Sequence, residues 1–155
     1  MADLKLIETG DGGDVVLLGN DLQVITGFQN MPYIGMFGGN VEADTEGPKP
    51  ENEQAFDFWG NNLLFPNDQS IQFNSEFERR LTEVALNSAG RLQLEQSAKR
   101  DLDFMSDFAI VDIETAITDN DRLEMLITIQ EPDNLSATEY TYIWDGTKNE
   151  LTVTE

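Results

Sequence analysis

Two alternating runs near the C-terminal end constrain the fold of this chain more than any other feature of its sequence. In residues 111–117 and again in residues 123–129, apolar side chains or a threonine occupy every second position. A period of two places successive side chains on opposite faces of a strand, so each run predicts a strand with one face toward a core. The polar stretch Thr118–Arg122 between them is short enough to join antiparallel neighbours. The pattern predicts a β-hairpin, with Asp112 and Glu114 on its outward face.

Two further strands are expected after this hairpin. Tyr140, Tyr142 and Trp144 stand at alternate positions. An aromatic face at strand spacing usually packs against a helix, so we interpret these three residues as core rather than as a platform for bases or sugars. Leu151 and Val153 begin a fourth strand, which would lie at an edge of the sheet or pair with another chain.

Two helices are predicted ahead of the sheet. Apolar residues recur at helical spacing in two stripes, Phe77, Leu81, Val84 and Ala85 in the first and Leu94, Ala98, Leu102 and Met105 in the second. The two stripes do not share one phase, which indicates a break near Gly90. Asn74 or Ser75 can cap the first helix.

The N-terminal half predicts short strands and irregular chain. Residues 4–6 alternate, residues 15–18 form a β-rich run, and residues 22–25 form another short strand. Residues 28–39 are apolar but interrupted by a proline and three glycines, so no regular element is expected there. Residues 40–54 carry many acids and two prolines and predict a mobile surface loop. The whole predicts a single α+β domain over residues 1–155: short N-terminal strands, two helices, then a C-terminal antiparallel sheet of three to four strands.

Composition excludes several kinds of site. The chain has 155 residues, 30 acidic and 9 basic, with a net charge of −21, and contains neither cysteine nor histidine. Disulfides, thiol nucleophiles, Cys/His zinc sites and histidine bases are therefore excluded. The charge argues against nucleic acids and anionic membranes, which need cationic side chains, and favours basic surfaces of partner proteins. The sequence has no membrane-spanning run and no signal-peptide core, so we expect synthesis in the cytoplasm without a leader.

The acidic residues do not form a recognisable catalytic or metal-binding pattern. In so acidic a chain, pairs such as Asp101 and Asp103 are inevitable, whereas a glycosidase needs two carboxyls facing each other across a cleft. The Asp11–Asp14 turn and the hairpin turn both lack the spacing of an EF-hand loop, and no phosphate-binding glycine loop occurs. We expect no catalytic, metal or cofactor-binding residue. A muralytic, lysozyme-like enzyme using two carboxylates and a free acidic protein-binding module stay open as alternatives.

An aromatic cluster follows the acidic loop, in the stretch Ala55–Asp68 (AFDFWGNNLLFPND). Residues 60–66 have the spacing G-x-x-L-x-x-P, and two helices and the hairpin at 110–129 come after them. This order resembles the small baseplate wedge proteins of contractile phage tails, namely the Mu-like wedge family and the related sheath-initiator family once described as acidic lysozymes. The resemblance covers roughly residues 19–129. Residues 29–44 lack the arginine of the Glu-Pro-Arg motif found in the sheath-initiator branch, which favours a Mu-like member.

The resemblance implies a non-enzymatic virion subunit of the tail baseplate, a wedge component or sheath initiator present in six copies around the tail tube. Its partners would be other wedge subunits and the tube and sheath proteins, with no nucleic acid or membrane among them. Irregular apolar segments would be covered by neighbours, and the last strand would pair with another chain by strand addition. We therefore expect partner contacts at Phe56, Phe58, Trp59, Tyr33, Phe37, Leu151 and Val153.

Overall fold

Strands at both ends of the chain flank a set of helices. The computed structural model describes residues 2–8, 13–38, 75–132, 134 and 136–154. In chain order the elements are β1 (Ala2–Leu4), β2 (Leu6–Glu8), β3 (Gly13–Val15), β4 (Leu17–Leu18), β5 (Asp21–Leu22), β6 (Val24–Thr26), α1 (Met31–Phe37), α2 (Phe77–Glu83), α3 (Ser88–Asp101), a 3-10 helix (Asp103–Asp107), β7 (Ile110–Asp119), β8 (Arg122–Gln130), β9 (Thr138–Asp145) and β10 (Glu150–Thr154). The predicted α+β class is confirmed.

The C-terminal strands form one antiparallel sheet in the order β10-β9-β8-β7, so each strand pairs with its neighbour in sequence. The predicted hairpin is β7 and β8, with Ile113 opposite Ile127, and Ile127 lies in turn opposite Tyr140 of β9. The inner face carries most of the hydrophobic core. Its buried residues on β8 and β9 are Leu123, Met125, Ile127, Ile129, Tyr140 and Tyr142. As predicted, Asp112 and Glu114 are exposed on the other face.

Helix α3 covers this inner face and is bonded to β7. Leu94 and Ala98 of α3 are fully buried in the core. The Nη1 atom of Arg91 donates to the backbone oxygen and the Oγ1 atom of Thr115, both at 3.0 Å. The Thr115 hydroxyl donates to Glu95 Oε2 at 2.8 Å. These bonds fix the position of α3 along the strand, while the apolar contacts supply most of the stabilisation.

The break between α2 and α3 lies at residues 84–87, just before Gly90, and corrects the prediction that Val84 and Ala85 belong to the first helix. Val84 adopts an extended conformation that ends α2. Asn87 then caps α3, because its Oδ1 atom accepts from the N–H groups of Ala89 and Gly90 at 3.0 Å each. Gly90 is therefore buried in the first turn of α3.

Helix α2 is capped from a distance rather than by its own sequence. Of the two predicted caps, Asn74 lies outside the described residues, and Ser75 does not cap the helix, since its hydroxyl donates instead to the backbone oxygen of Gly35 at 2.7 Å. Asp101, the last residue of α3, takes the capping role: its Oδ2 atom accepts from the N–H groups of Glu76 and Phe77 at 2.9 and 2.8 Å. A carboxylate at this position satisfies otherwise unpaired helix N–H groups.

Helix α1 occupies part of residues 28–39, where no regular element was expected, so that prediction is wrong. Pro32 lies in the first turn, where its missing N–H costs no helical hydrogen bond. Gly35 is buried, and a Cβ there would lie 2.9 Å from Leu102 Cδ2, so glycine allows α1 to approach the end of α3 closely. Two of the four residues that suggested interruption, Pro32 and Gly35, are thus the ones that allow this short helix to begin and to pack.

The six N-terminal strands form three two-stranded ribbons that meet at one point. The antiparallel pairs are β1 with β6, β2 with β3, and β4 with β5. Lys5, Val16 and Gln23 join the ribbons through a closed ring of backbone hydrogen bonds, from Lys5 N to Gln23 O (2.9 Å), from Gln23 N to Val16 O (2.8 Å) and from Val16 N to Lys5 O (3.0 Å). The β4–β5 ribbon, which we call the leucine arm, extends from this junction.

The structure predicts that Gly90→Ala destabilises the protein, although this change in an ordinary helix is favourable by about 1 kcal/mol. A Cβ on residue 90 would lie 2.0 Å from the backbone oxygen of Ala85 and 2.7 Å from Val84 Cγ1. Because a backbone atom cannot move by a change of rotamer, we expect a loss of about 1–3 kcal/mol in the free energy of unfolding.

Chemical denaturation measures this loss, and Ala89→Gly, at an exposed position of the same turn, is the control. The control should lose no more than about 1 kcal/mol, the intrinsic cost of glycine in a helix. A Gly90→Ala variant as stable as the parent would contradict the packing described for this turn.

Candidate functional site

The leucine arm exposes three leucine side chains within two short strands. Leu17 and Leu18 are 67% and 70% exposed, and Leu22 is 41% exposed. Leu17 lies opposite Leu22, which places these two side chains on one face of the ribbon, and a turn begins at Gly19 with φ 68°. Since a two-stranded ribbon has little stability of its own, such leucines contribute little to the fold. The arm has the properties of a contact surface.

A second apolar patch lies where the 3-10 helix leads into β7. Phe104, Phe108 and Ile110 are 44%, 50% and 71% exposed. The ring of Phe108 lies 6.2 Å from the ring of Phe28, so one side of the patch rests on the segment that precedes α1. Exposed aromatic and aliphatic side chains close together in the chain are typical of surfaces that another protein covers.

Strand β10 forms one edge of the sheet, and β2 lies beside it without pairing. A cavity of about 190 Å³ lies between them, which we call the β2–β10 cavity; its lining consists of Lys5, Leu6, Ile7, Glu8, Gln29, Asn30, Tyr33, Tyr140, Tyr142, Val153 and Thr154. An edge strand presents unpaired backbone N–H and C=O groups that another strand can bond. The cavity therefore adjoins a possible site of strand addition.

Polar contacts hold the walls of the β2–β10 cavity in place. Asn30 ties the start of α1 to the ribbons, because its Nδ2 atom donates to Asp3 Oδ2 at 2.9 Å and its Oδ1 atom accepts from the N–H of Leu6 at 3.2 Å. The Tyr33 hydroxyl donates to Glu8 Oε2 at 2.8 Å. Burial, together with the neighbouring Glu8 carboxyl, raises the pKa of Tyr33, so its hydroxyl stays protonated at neutral pH.

The structure places four of the seven predicted contact residues. Tyr33 and Val153 line the β2–β10 cavity. The ring of Phe37 stacks on Tyr33 at 5.4 Å and meets Phe77 edge-on at 5.7 Å, so it packs within the chain. Leu151 is 7% exposed, so that β10 offers its backbone rather than this side chain to a neighbour.

The remaining three, Phe56, Phe58 and Trp59, lie outside the described residues, as do the predicted loop at 40–54 and the G-x-x-L-x-x-P turn. The leucine arm and the cavity residue Gln29 were not predicted as contacts. The run at residues 15–18 has the composition of a buried strand, so its composition does not indicate that Leu17 and Leu18 are exposed. A short strand beside a two-residue turn was the available signal for a projecting ribbon.

The cationic side chains are largely occupied within the chain. Glu95 accepts from Arg91 at 3.0 Å and from Lys99 at 2.8 Å. Both contacts lower the pKa of Glu95, and the hydrogen bond from Lys99 has the larger effect. Glu76 pairs with Arg80 at 3.5 Å and with Arg100 at 3.0 Å. Because the few cations neutralise acids on the helices, the excess negative charge elsewhere is left for a partner or for solvent.

Among the described residues, partial burial raises the pKa values of two carboxyls toward neutrality. Burial raises the pKa of Glu78 to about 7. Burial also raises the pKa of Asp101 to about 6, although the N–H groups of Glu76 and Phe77 act in the opposite direction. Asp101 is engaged as a helix cap, and neither residue lines the β2–β10 cavity or the larger cavity of about 320 Å³ beside Leu81 and Trp144. The raised pKa values therefore reflect packing.

Replacement of Glu78 by Gln should make stability less dependent on pH. The pKa of Glu78 is about 7 in the folded chain and 4.5 in the unfolded chain. As pH rises between these values, the parent loses stability because the Glu78 carboxyl must ionise while it is buried. Gln carries no proton to lose. We expect Glu78→Gln to gain about 1–2 kcal/mol relative to the parent between about pH 5 and about pH 8, measured by urea denaturation.

Glu114→Gln, on the exposed face of β7, is the matched control and should stay within about 0.5 kcal/mol of the parent at both pH values. Asp101 contributes equally to the parent and to both variants, so its own titration cancels in the comparison. An unchanged pH profile in Glu78→Gln would show that this carboxyl is solvated.

None of the helices in the described residues is long and apolar enough to cross a membrane. In the same residues, no group of three or more acidic side chains is arranged to hold a metal ion. Comparison of the chain with models of known protein families, with curated proteins and with solved structures found no match.

Proposed function

We propose that this chain is a structural subunit of a contractile phage-tail baseplate, a wedge component or sheath initiator that acts through protein–protein contacts. The observation that carries the assembly role is the leucine arm, with Leu17 and Leu18 more than two-thirds exposed on a projecting ribbon. Burial of one such side chain by a neighbour is worth about 1.5–3 kcal/mol. Few monomeric proteins maintain such a surface without a partner for it.

The edge of β10 supports the same role. Its inner neighbour is β9, and its outer side faces the β2–β10 cavity without a paired strand in the described residues. Main-chain hydrogen bonds to such an edge give affinity, and side-chain pockets beside it give specificity. A sheath protein or another wedge subunit would use both if it began its own sheet on this strand.

The net charge indicates what kind of surface the partner presents. With 30 acids against 9 basic residues, the chain attracts proteins with basic faces and repels copies of itself, which favours contacts with other subunits over self-association. The more specific identity, a Mu-like wedge protein in six copies within the virion, rests on the resemblance of residues 55–68 and of the order of elements that follows them.

The muralytic alternative assigns the role of general acid to Glu78, because a pKa of about 7 suits a carboxylic acid that must donate a proton. A glycosidase also needs a sugar-binding cleft and a second carboxyl across it. Glu78 lines neither of the two cavities described above. We therefore favour assembly over hydrolysis, and an assay of the purified chain on peptidoglycan separates them.

Leu18→Gln should prevent incorporation into tail particles while leaving the isolated chain folded. The side chain is 70% exposed, so the substitution should change the free energy of unfolding by no more than about 0.5 kcal/mol. Incorporation is measured by co-purification of the tagged chain with tails from cells that make the other tail proteins. A loss of at least about tenfold corresponds to about 1.4 kcal/mol of contact energy.

Leu92→Gln is the matched control, since Leu92 is 49% exposed and belongs to α3 rather than to the arm. It should assemble like the parent. If Leu18→Gln assembles normally while the parent enters particles, the arm is not the contact; if the parent itself never enters particles, the baseplate proposal fails.

A further inference from the structure

Three stretches of the N-terminal ribbons repeat one short pattern. Residues 3–7 (DLKLI), 14–18 (DVVLL) and 21–25 (DLQVI) share the order aspartate, aliphatic, variable, aliphatic, aliphatic. The variable residue of each stretch belongs to the ring of backbone hydrogen bonds that joins the ribbons. The first half of each stretch pairs with one of the other two stretches, and its second half pairs with the other. The ribbons are therefore three copies of one bent strand around a common centre.

The repeat places aliphatic side chains on one face of the three ribbons. Successive side chains of a strand alternate between faces, and directly paired residues share a face. The second and fourth residues of the three copies pair with one another across the ribbons. These six residues form what we call the aliphatic face: Leu4, Leu6, Val15, Leu17, Leu22 and Val24. The centre of this face carries no charge.

Much of the aliphatic face is open. Leu17 and Val24 are 67% and 60% exposed, and Leu22 and Leu4 are 41% and 38% exposed. The other two members are half-buried, where β2 lies beside β10. Leu17 is paired with Leu22, Leu22 lies two residues from Val24, and Val24 is paired with Leu4. The four exposed side chains thus form one continuous apolar patch, which is typical of a surface that another protein covers.

Each copy of the repeat also places a carboxylate at the margin of the aliphatic face. The Oδ1 atoms of Asp3, Asp14 and Asp21 accept from the N–H of the following residue at 2.8, 2.7 and 2.9 Å. Backbone N–H groups lie in the plane of a ribbon, so these bonds hold the carboxylates beside the ribbons, level with the backbone. All three aspartates are exposed. Lys5, the single basic residue of the ribbons, belongs to the opposite face by the same alternation.

We infer that the aliphatic face binds an amphipathic helix of another protein, with lysine or arginine on both sides of the apolar stripe of that helix. An apolar sheet face is covered either by a helix or by a second sheet. Four exposed side chains match the stripe of about two helical turns, whereas a second sheet needs a broader surface. Basic residues beside the stripe would meet the three marginal carboxylates, and the uncharged centre would meet the stripe itself.

A second copy of this chain suits the face less well. Specific interfaces bury about 800 Å² on each partner, and four partly exposed side chains offer only a fraction of that area. Each copy carries a net charge of −21, so two copies would bring carboxylates together at the margin of the contact. The occupant is therefore a different protein that is basic at this contact.

The inference rests on the proposed assembly role, since it needs a partner, but it concerns a different surface from the one that Leu18 presents. Leu18 is paired with Asp21 and lies on the opposite face of the leucine arm. Two of the exposed members of the aliphatic face, Leu4 and Val24, lie outside the arm altogether, in the β1–β6 ribbon.

The test uses the purified full chain and a fluorescent peptide of about 18 leucine and lysine residues, with the leucines at helical spacing on one side. Binding is measured by fluorescence anisotropy at about 0.15 M salt, which screens distant charges. We expect saturable binding of one peptide per chain. A peptide with glutamine in place of leucine, which keeps the charge, should bind at least about tenfold more weakly. A peptide with glutamate in place of lysine, which keeps the apolar stripe, should be weakened as much.

Val24→Gln and Leu17→Gln should each weaken binding of the leucine–lysine peptide at least about tenfold. Both side chains are more than half exposed, so circular dichroism should show that the variants stay folded. Ile7→Gln is the control, because Ile7 is 38% exposed and lies on the other face of the same ribbons, opposite Asp14. It should bind the peptide like the parent, whereas attraction by net charge alone would leave all three variants equal to the parent.

Equal binding by Val24→Gln and Ile7→Gln would overturn the inference. So would the absence of saturable binding by the parent, as expected if another part of the same chain covers this face. A dimer in sedimentation, or binding to phosphatidylcholine vesicles, that Val24→Gln abolishes would assign the face to a second copy or to a membrane instead. None of these results alters the incorporation assay of Leu18→Gln, so a failure here and a failure of the baseplate proposal are distinguishable.

Discussion

The inner face of β8 is the constraint on which the rest of the structure depends. Four alternate side chains of this strand, from Leu123 to Ile129, are at most 3% exposed, so helices must cover them. Acidic residues on the opposite face of β7 keep that side of the hairpin in water. Helix α3 meets this requirement directly, and α2 and α1 pack beside it. The N-terminal ribbons then lie at the β10 edge, where they leave a cavity and a projecting arm rather than a closed surface.

The sequence predicts the elements whose apolar residues recur with a regular period and pack on the main hydrophobic core. The β7–β8 hairpin, the aromatic stripe of β9 and the two helices all have this property. Helix α1 was missed because proline and glycine usually interrupt helices. Here Pro32 fits because it lies in the first turn, and Gly35 fits because the helix packs closely against Leu102. The capping of α2 by Asp101 joins residues about 25 positions apart and has no local signal.

The candidate surfaces were less predictable than the fold. Tyr33 and Val153 were expected to make contacts, and they lie in one cavity because β2, α1 and β10 converge there. Gln29 could not be identified from sequence, since the cavity that it lines forms only where several segments of the chain meet. Leu17 and Leu18 have the composition of core, and only the ribbon junction at Lys5, Val16 and Gln23 shows that they project from it. Burial of a side chain is a global property, whereas periodicity is local.

The candidate surfaces have a common physical character: the apolar arm and the open edge of β10 each lack a complement within the described residues. A subunit of a larger assembly would have such a surface. The most direct measurement is electron microscopy of purified tail particles carrying a tagged version of this chain. The account predicts label at the baseplate end of the tail, near the start of the sheath. Tail particles without label, from cells that make the tagged chain in full amount, would contradict it.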